Sequence, residues 1–160
     1  MDGMTTYKMD TYKNRVPILQ FPIRLDLGAG QYPQPGMVRL DFDPHGADIV
    51  WDVKDGIPLP DRSVSELYTS HFLEHLAPTD YHYVLQEMFR VCAHMAPVTI
   101  KLPYGDLWEG ALPCHYNRFR EADMTAINNW FPHDTGTYWD LRSIERDGIH
   151  LIGKFVIVKP

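Results

Sequence analysis

Cysteine is scarce: the chain has only Cys92 and Cys114 in 160 residues. Two are too few for a disulfide framework, and two reduced thiols are the plainer reading, although a single bridge stays open. No run approaches the roughly 18 consecutive apolar residues of a membrane helix, so no membrane partner is expected. The opening Met1-Asp2-Gly3-Met4 has neither the basic flank nor the apolar stretch of a secretory signal. These absences predict a cytoplasmic protein. Basic charge is also in short supply, with 15 Lys and Arg against 21 Asp and Glu and a net charge of −6. That balance counts against a protein held to DNA by bulk charge, while a local basic patch leaves a nucleic-acid partner open.

What is present is globular. Hydrophobic residues make up 44% and charged residues 22%, which excludes general disorder. The length suits one domain, residues 1–160, that buries roughly 68–70% of its unfolded surface. Four Trp, nine Tyr and seven Phe suit a packed core or a stacking pocket. Residues 1–20 are polar and irregular, with Thr6-Tyr7-Lys8 echoed in Thr11-Tyr12-Lys13. Two copies do not make a repeat architecture, so this stretch reads as an N-terminal arm.

Beyond the arm, short apolar runs alternate with turn signals. Ile23–Leu27, Met37–Leu40, Ala47–Trp51, Val64–Thr69 and Ala96–Leu102 read as strands. Thr79 to about His94 carries helical spacing in Tyr83, Val84, Glu87, Met88 and Val91, with Thr79 or Asp80 able to cap its start. Glu121–Trp130 reads as a second, short helix. Two β-rich runs, Tyr138–Arg146 and Ile149–Val158, meet at Asp147-Gly148, a strong hairpin signal. The expected fold is α/β: a Rossmann-like, mostly parallel sheet with an antiparallel C-terminal hairpin.

In such sheets ligands sit beyond the carboxyl ends of the strands. Gly28, Gly30, Asp41 and Asp52 all fall there and should converge on one mouth. The glycines admit a ligand close to the backbone, Asp41 can accept from a ribose diol, and Asp52 from an exocyclic amine. Each feature alone is more often a tight turn or a solvated cap, and their ordered succession is what points to a nucleotide-like ligand. A dinucleotide needs a third glycine, an acid about 20 residues on, and a helix N-terminus for its pyrophosphate. Here the third-glycine position holds Pro33, and Asp41 comes 11 residues after Gly30. Pro33, Pro35 and Gly36 between them leave the first crossover helix shortened or missing, and with it the phosphate seat. S-adenosylmethionine carries no phosphate, so it tolerates that gap.

Several segments carry a family resemblance. Leu25-Asp26-Leu27-Gly28-Ala29-Gly30 resembles the first motif of class I S-adenosylmethionine-dependent methyltransferases, and Leu40-Asp41-Phe42-Asp43-Pro44 the acidic end of their second strand. Asp52 and the segment Ile57–Val64 resemble their adenine-side acid and "LPFPD-S-F-D" segment. Ser70-His71-Phe72-Leu73-Glu74-His75 is similar to the "S-H-x-L-E-H" turn of the type 11 branch, and Glu87-Met88-Phe89-Arg90-Val91 to its "E-x-x-R-V-L" helix. His115-Tyr116-Asn117-Arg118-Phe119 resembles the "H-R-R-F-F" segment after the fifth strand, and the "K-P-G-G" turn is replaced by His94-Met95-Ala96-Pro97. The resemblance covers about residues 23–104. It implies that Asp26, Gly28, Ala29 and Gly30 lie at the methionine end, Asp41 at the ribose, Asp52 with Val53 at the adenine, and Ser70 and His71 near the transferred methyl. His71 is then placed to act as a general base or to orient the acceptor, with a structural role equally open.

Competing readings remain. His71-Phe72-Leu73-Glu74-His75 also spells H-x-x-E-H, and on a helix its histidines would share a face and permit zinc. Because the family resemblance already accounts for the motif, no metal is expected, His75 is read as bonded to backbone, and Cys114 as inert. The function expected is a small methyltransferase using S-adenosylmethionine on an unidentified methyl acceptor. The alternative is a non-catalytic nucleotide- or partner-binding module on the same fold. A nicotinamide oxidoreductase and a zinc hydrolase follow. The acceptor mouth must be built from the arm, from residues 104–120 or from a second subunit, which leaves a homodimer open.

Overall fold

Alternation along the strands decides the architecture. In the computed structural model, which describes residues 15–107, 110, 112–129 and 136–160, seven strands form one sheet. They are β1 (Ile23–Leu27), β2 (Val38–Asp41), β3 (Ile49–Val50), β4 (Val64–Ser70), β5 (Pro97–Pro103), β6 (Tyr138–Asp147) and β7 (His150–Val158). The order is β3-β2-β1-β4-β5-β7-β6, with β1 to β5 parallel and β7 antiparallel to both its neighbours. This is the expected mostly parallel sheet with an antiparallel terminal hairpin. The echoed Thr-Tyr-Lys pair and Trp130 lie outside the described residues.

Residues paired across the sheet share a face. One face presents Leu25, Leu27, Leu40, Ile49, Leu67, Val98, Ile100, Leu102, Leu151 and Phe155, all buried. Two helices, α1 (Pro78–Val91) and α2 (Glu121–Asn128), cover it with Val84, Leu85, Met88, Met124 and Ile127. Gly153 permits the close fit of α2, because a Cβ there would lie 2.6 Å from Met124 Sδ. The other face presents Arg24, Glu66, Tyr68, Thr99, Lys101, Lys154 and Glu145, half-buried or exposed and partly ion-paired. A parallel strand buried on both faces would read as a continuous apolar run. These strands do not, because the connections β1–β2 and β2–β3 contain no helix to cover that face.

Local details depart from expectation in instructive ways. Helix α1 begins at Pro78, one residue early, and neither Thr79 nor Asp80 caps it: Ala77 is the N-cap and makes no side-chain bond. Proline at the first helical position has a suitable φ and no N–H to satisfy, so it starts the helix by itself. The helix stops at Val91, where the backbone turns extended at Cys92 and the Lys159 ammonium donates to the Arg90 and Cys92 carbonyls. The hairpin loop is Gly148-Ile149 rather than Asp147-Gly148, with Asp147 still paired to His150. Gly148 has φ +58°, as the first position of a type II′ turn requires. In the turn before β5, which lacks glycine, the exposed Met95 takes the left-handed conformation at φ +64°.

The paired motifs Ile57–Val64 and Glu87–Val91 form one clamp. Arg90 donates to both Glu87 oxygens, to Asp61 Oδ1, and to the Ile57 and Leu59 carbonyls, at 2.7–2.9 Å. Glu87 Oε2 in turn accepts the Ile57 N–H at 2.8 Å. A single guanidinium thus fixes the loop from β3 to β4 onto α1. Arg90→Ala is expected to destabilise the protein by about 2–4 kcal/mol in urea unfolding at pH 7. The Arg90 bond holds the Glu87 carboxyl below its usual range. Its contribution is therefore complete above the unfolded value, about 4.3, and is lost as the pH falls through the lower folded value. The variant should lose that part of its acid sensitivity, and an unchanged acid limb would contradict the clamp.

Candidate functional site

The carboxyl ends of β1, β2 and β4 open into a cleft of about 500 Å³. Of the residues expected there, Gly28, Gly30, Asp41, Asp52, Val53 and His71 line it. Asp26, Ala29 and Ser70 do not. Phe42, Trp51, Lys54, Phe72, His75 and Leu76 line it as well and were not expected.

After β1 the chain turns at Gly28 (φ +69°) and Gly30 (φ +50°), and the N–H groups of Gly28 and Ala29 both reach the Leu40 carbonyl. Gly28 also packs against Phe72 so closely that any Cβ would overlap its ring. Asp26 is 2% exposed and not part of the cleft lining, with Oδ2 accepting the Gln34 N–H at 2.7 Å. Its buried carboxyl is pushed up from the usual range by desolvation, only partly opposed by that bond. It latches the Gln31–Gly36 loop, which takes the place of the first crossover helix.

Asp41 closes the same loop from the other side. One of its oxygens accepts Gly30 N–H and the other Asp43 N–H, both at 2.9 Å. An ionised carboxylate offers about four acceptor positions, so lone pairs remain for a ligand's hydroxyls. Asp43 is engaged differently: the backbone N–H and ring of His45 bond its Oδ1 and hold its carboxyl below the usual range. Asp52 accepts the Lys54 N–H at 3.1 Å as the cap of a 3-10 turn, Val53–Asp55. Phe42, 76% exposed, and the Trp51 indole, whose buried N–H has no partner, give the cleft aromatic walls.

His71 stands at the end of β4 in the left-handed conformation (φ +51°), uncommon for a residue with a side chain. Its N–H donates to the Lys101 carbonyl, which holds the strained backbone in place. Its ring meets His150 edge-on at 5.0 Å, and Nδ1 lies 3.5 Å from Glu74 Oε1. Glu74 is fully buried and neither oxygen has a hydrogen-bond partner. The H-x-x-E-H segment runs through a 3-10 turn, Leu73–His75, not an α-helix, so the helical face that would pair its histidines does not form. His75 is indeed backbone-bonded, with Nδ1 3.3 Å from the Cys114 carbonyl.

No family model matches the chain, and no curated protein matches it in sequence. Solved structures do match. A chain in the complex between the Haloferax volcanii Trm112 methyltransferase activator and the putative methyltransferase aligns at 14% identity and TM-score 0.62, covering 88% of this chain and 86% of that one. A SAM-dependent methyltransferase from Aquifex aeolicus aligns at 16% and 0.58, covering 88% and 85%. A 16S rRNA (adenine(1408)-N(1))-methyltransferase from Catenulisporales acidiphilia, solved with cosubstrate SAM, aligns at 12% and 0.61, covering 87% of each chain. The fold is that of the class I S-adenosylmethionine-dependent methyltransferases, as the motif resemblance implied.

Gly28→Ala tests the tight turn. A left-handed alanine costs about 1–2 kcal/mol, and overlap with Phe72 adds about as much again. A loss of about 2–4 kcal/mol in urea unfolding is expected. Unchanged stability would show that the turn and Phe72 do not pack as described.

Proposed function

We propose that the protein is a methyltransferase that uses S-adenosylmethionine and acts on an acceptor still to be identified. The observation that carries this reading is the cleft itself: strand-end carboxylates and aromatic walls converge where the fold binds ligands, with no helix start at the first crossover. The residues fit the cofactor part by part. Asp41 has free acceptor positions for a ribose diol. Asp52 and the Val53 backbone can take the edge of an adenine between Phe42 and Trp51. Gly28 and Gly30 leave their backbone open to the methionine end, with Ala29 between them, and Asp26 keeps that turn in shape through the loop it holds.

The bound cofactor supplies an activated methyl on a positively charged sulfur. What remains for the chain is alignment, which by itself accounts for much of the acceleration of an in-line displacement. Ser70 and His71 end β4 on the acceptor side. His71, packed edge-on against His150, is placed to accept a proton from an acceptor or to fix its direction. Burial, ahead of Lys101, pushes the His150 imidazole below its usual range, so it stands neutral beside His71 near pH 7. The helixless first crossover favours a second reading, a partner- or nucleotide-binding module without transfer. One structural neighbour's complex contains a methyltransferase activator, which supports a protein partner for this second reading.

Calorimetry with S-adenosylhomocysteine, NAD and NADP tests the cofactor, and methyl transfer to candidate acceptors then separates an enzyme from a binding module. S-adenosylhomocysteine is expected to bind at least tenfold more tightly than either dinucleotide, because a pyrophosphate finds neither free helix N–H groups nor a favourable dipole. Asp41→Ala should weaken it at least tenfold, in line with losing about 1.5–3 kcal/mol of charge-assisted bonds. Tighter dinucleotide binding would overturn the cofactor, and unchanged affinity in a folded variant would overturn the role of Asp41.

A further inference from the structure

Beside the cleft lies a second group of chemistry-bearing side chains that the methyltransferase reading does not use. His75, on the 3-10 turn after β4, faces Cys114 and His115 from the segment after β5. One potential donor atom from each lies within 4.8 Å of the other two. The His75 and His115 rings meet at 4.7 Å, nearly perpendicular. His115 Nδ1 is buried without a partner. Glu74 is 0% exposed, with both oxygens unbonded, and His75 Nε2 lies 3.9 Å from Oε1.

These segments are 39 residues apart in sequence, yet they are tied together at the backbone. The Glu74 carbonyl accepts the N–H groups of Tyr116 and Asn117, at 2.8 and 3.3 Å. The Asn117 amide then donates to the Leu73 and Leu76 carbonyls, at 3.2 and 2.8 Å. Four hydrogen bonds therefore hold the strip carrying Cys114 and His115 against the turn carrying His75. Such fixed placement removes much of the ordering cost of assembling ligands.

We propose that His75, Cys114 and His115 form a binding site for a zinc-class transition metal at the edge of the cleft. Two imidazoles and a thiolate are the donors that borderline-soft divalent ions select, and they suit Mg²⁺ or Ca²⁺ poorly. Around a tetrahedral ion with bonds of about 2.0–2.3 Å, donors sit about 3.3–3.8 Å apart, so side-chain rotation closes the site. His75 would bind the ion through Nδ1, exchanging its contact with the Cys114 carbonyl for the metal. Its Nε2 faces the buried Glu74 carboxyl, which supplies what a metal-bound imidazole needs behind it: an acceptor for the other ring N–H and a compensating charge. That role also explains a buried carboxylate that otherwise stands unbonded at considerable cost. The donor set is not the H-x-x-E-H pair, because His71 lies outside it. Three protein ligands leave a fourth position for water or a ligand atom, and His75 also lines the cleft, so the ion would adjoin the acceptor side.

The test uses full-length protein, reduced, stripped with a chelator and titrated with Co²⁺ as a spectroscopic probe, then with Zn²⁺. One Co²⁺ per chain is expected, with a thiolate-to-cobalt charge-transfer band that Zn²⁺ abolishes and Mg²⁺ does not. Cys114→Ser should remove the band, and His75→Ala should weaken Zn²⁺ binding at least tenfold. Both side chains are exposed, so the metal-free variants should melt as the parent does. S-adenosylhomocysteine affinity should survive chelation, which keeps this proposal separate from the cofactor. Absence of the band, or its persistence in Cys114→Ser, would overturn the site.

Discussion

Asp26 and Asp41 hold together the part of the molecule on which everything else at the cleft depends. In a helical crossover, backbone N–H groups are satisfied within the helix. Here the chain passes from β1 to β2 through a loop rich in proline and glycine, and two of its N–H groups, those of Gly30 and Gln34, go to these two carboxylates instead, while Asp41 also accepts the Asp43 N–H just past β2. Asp26 does so from inside, at the cost of burying an acid, and Asp41 from the rim, where it keeps lone pairs free. The same feature that removes a phosphate seat thus suits the proposed cofactor, which has hydroxyls and no phosphate.

A missing crossover helix also changes the layering. Only one face of the sheet is covered by α1 and α2, and the opposite face carries ion pairs such as Arg24–Glu66 and Lys154–Glu145. The apolar core therefore lies on one side, centred on Leu25, Leu67, Ile100, Trp139 and Phe155. Strand-end residues are held rigidly by that core, while the loops that form the cleft are fixed chiefly by polar bonds.

Much of this was legible from the sequence because it depends on local chemistry. Strand order along the chain, the turn at Gly28 and Gly30, and the carboxylates at Asp41 and Asp52 follow from short apolar runs ended by specific residues. The absent helix could be read from Pro33, Pro35 and Gly36. What could not be read depends on distant packing. Phe72 seals Gly28 from a turn more than forty residues away, and Trp51 joins the wall only because β3 pairs with β2. Asp26 sits in the same motif as Gly28, yet turns inward to Gln34, a choice set by the loop and not by spacing. Likewise nothing local announces that Cys114 and His115 lie beside His75, since Asn117 and Tyr116 bring them there by bonding a turn in another part of the chain.

We propose above that the cleft holds S-adenosylmethionine in an orientation set by Asp41 and Asp52. A crystal structure with S-adenosylhomocysteine bound addresses it most directly. Ribose hydroxyls are expected on Asp41, the adenine edge at Asp52 and Val53 between Phe42 and Trp51, and the sulfur directed toward His71. An adenosine group lodged elsewhere on the molecule, or a cleft left empty at saturating ligand, would contradict it.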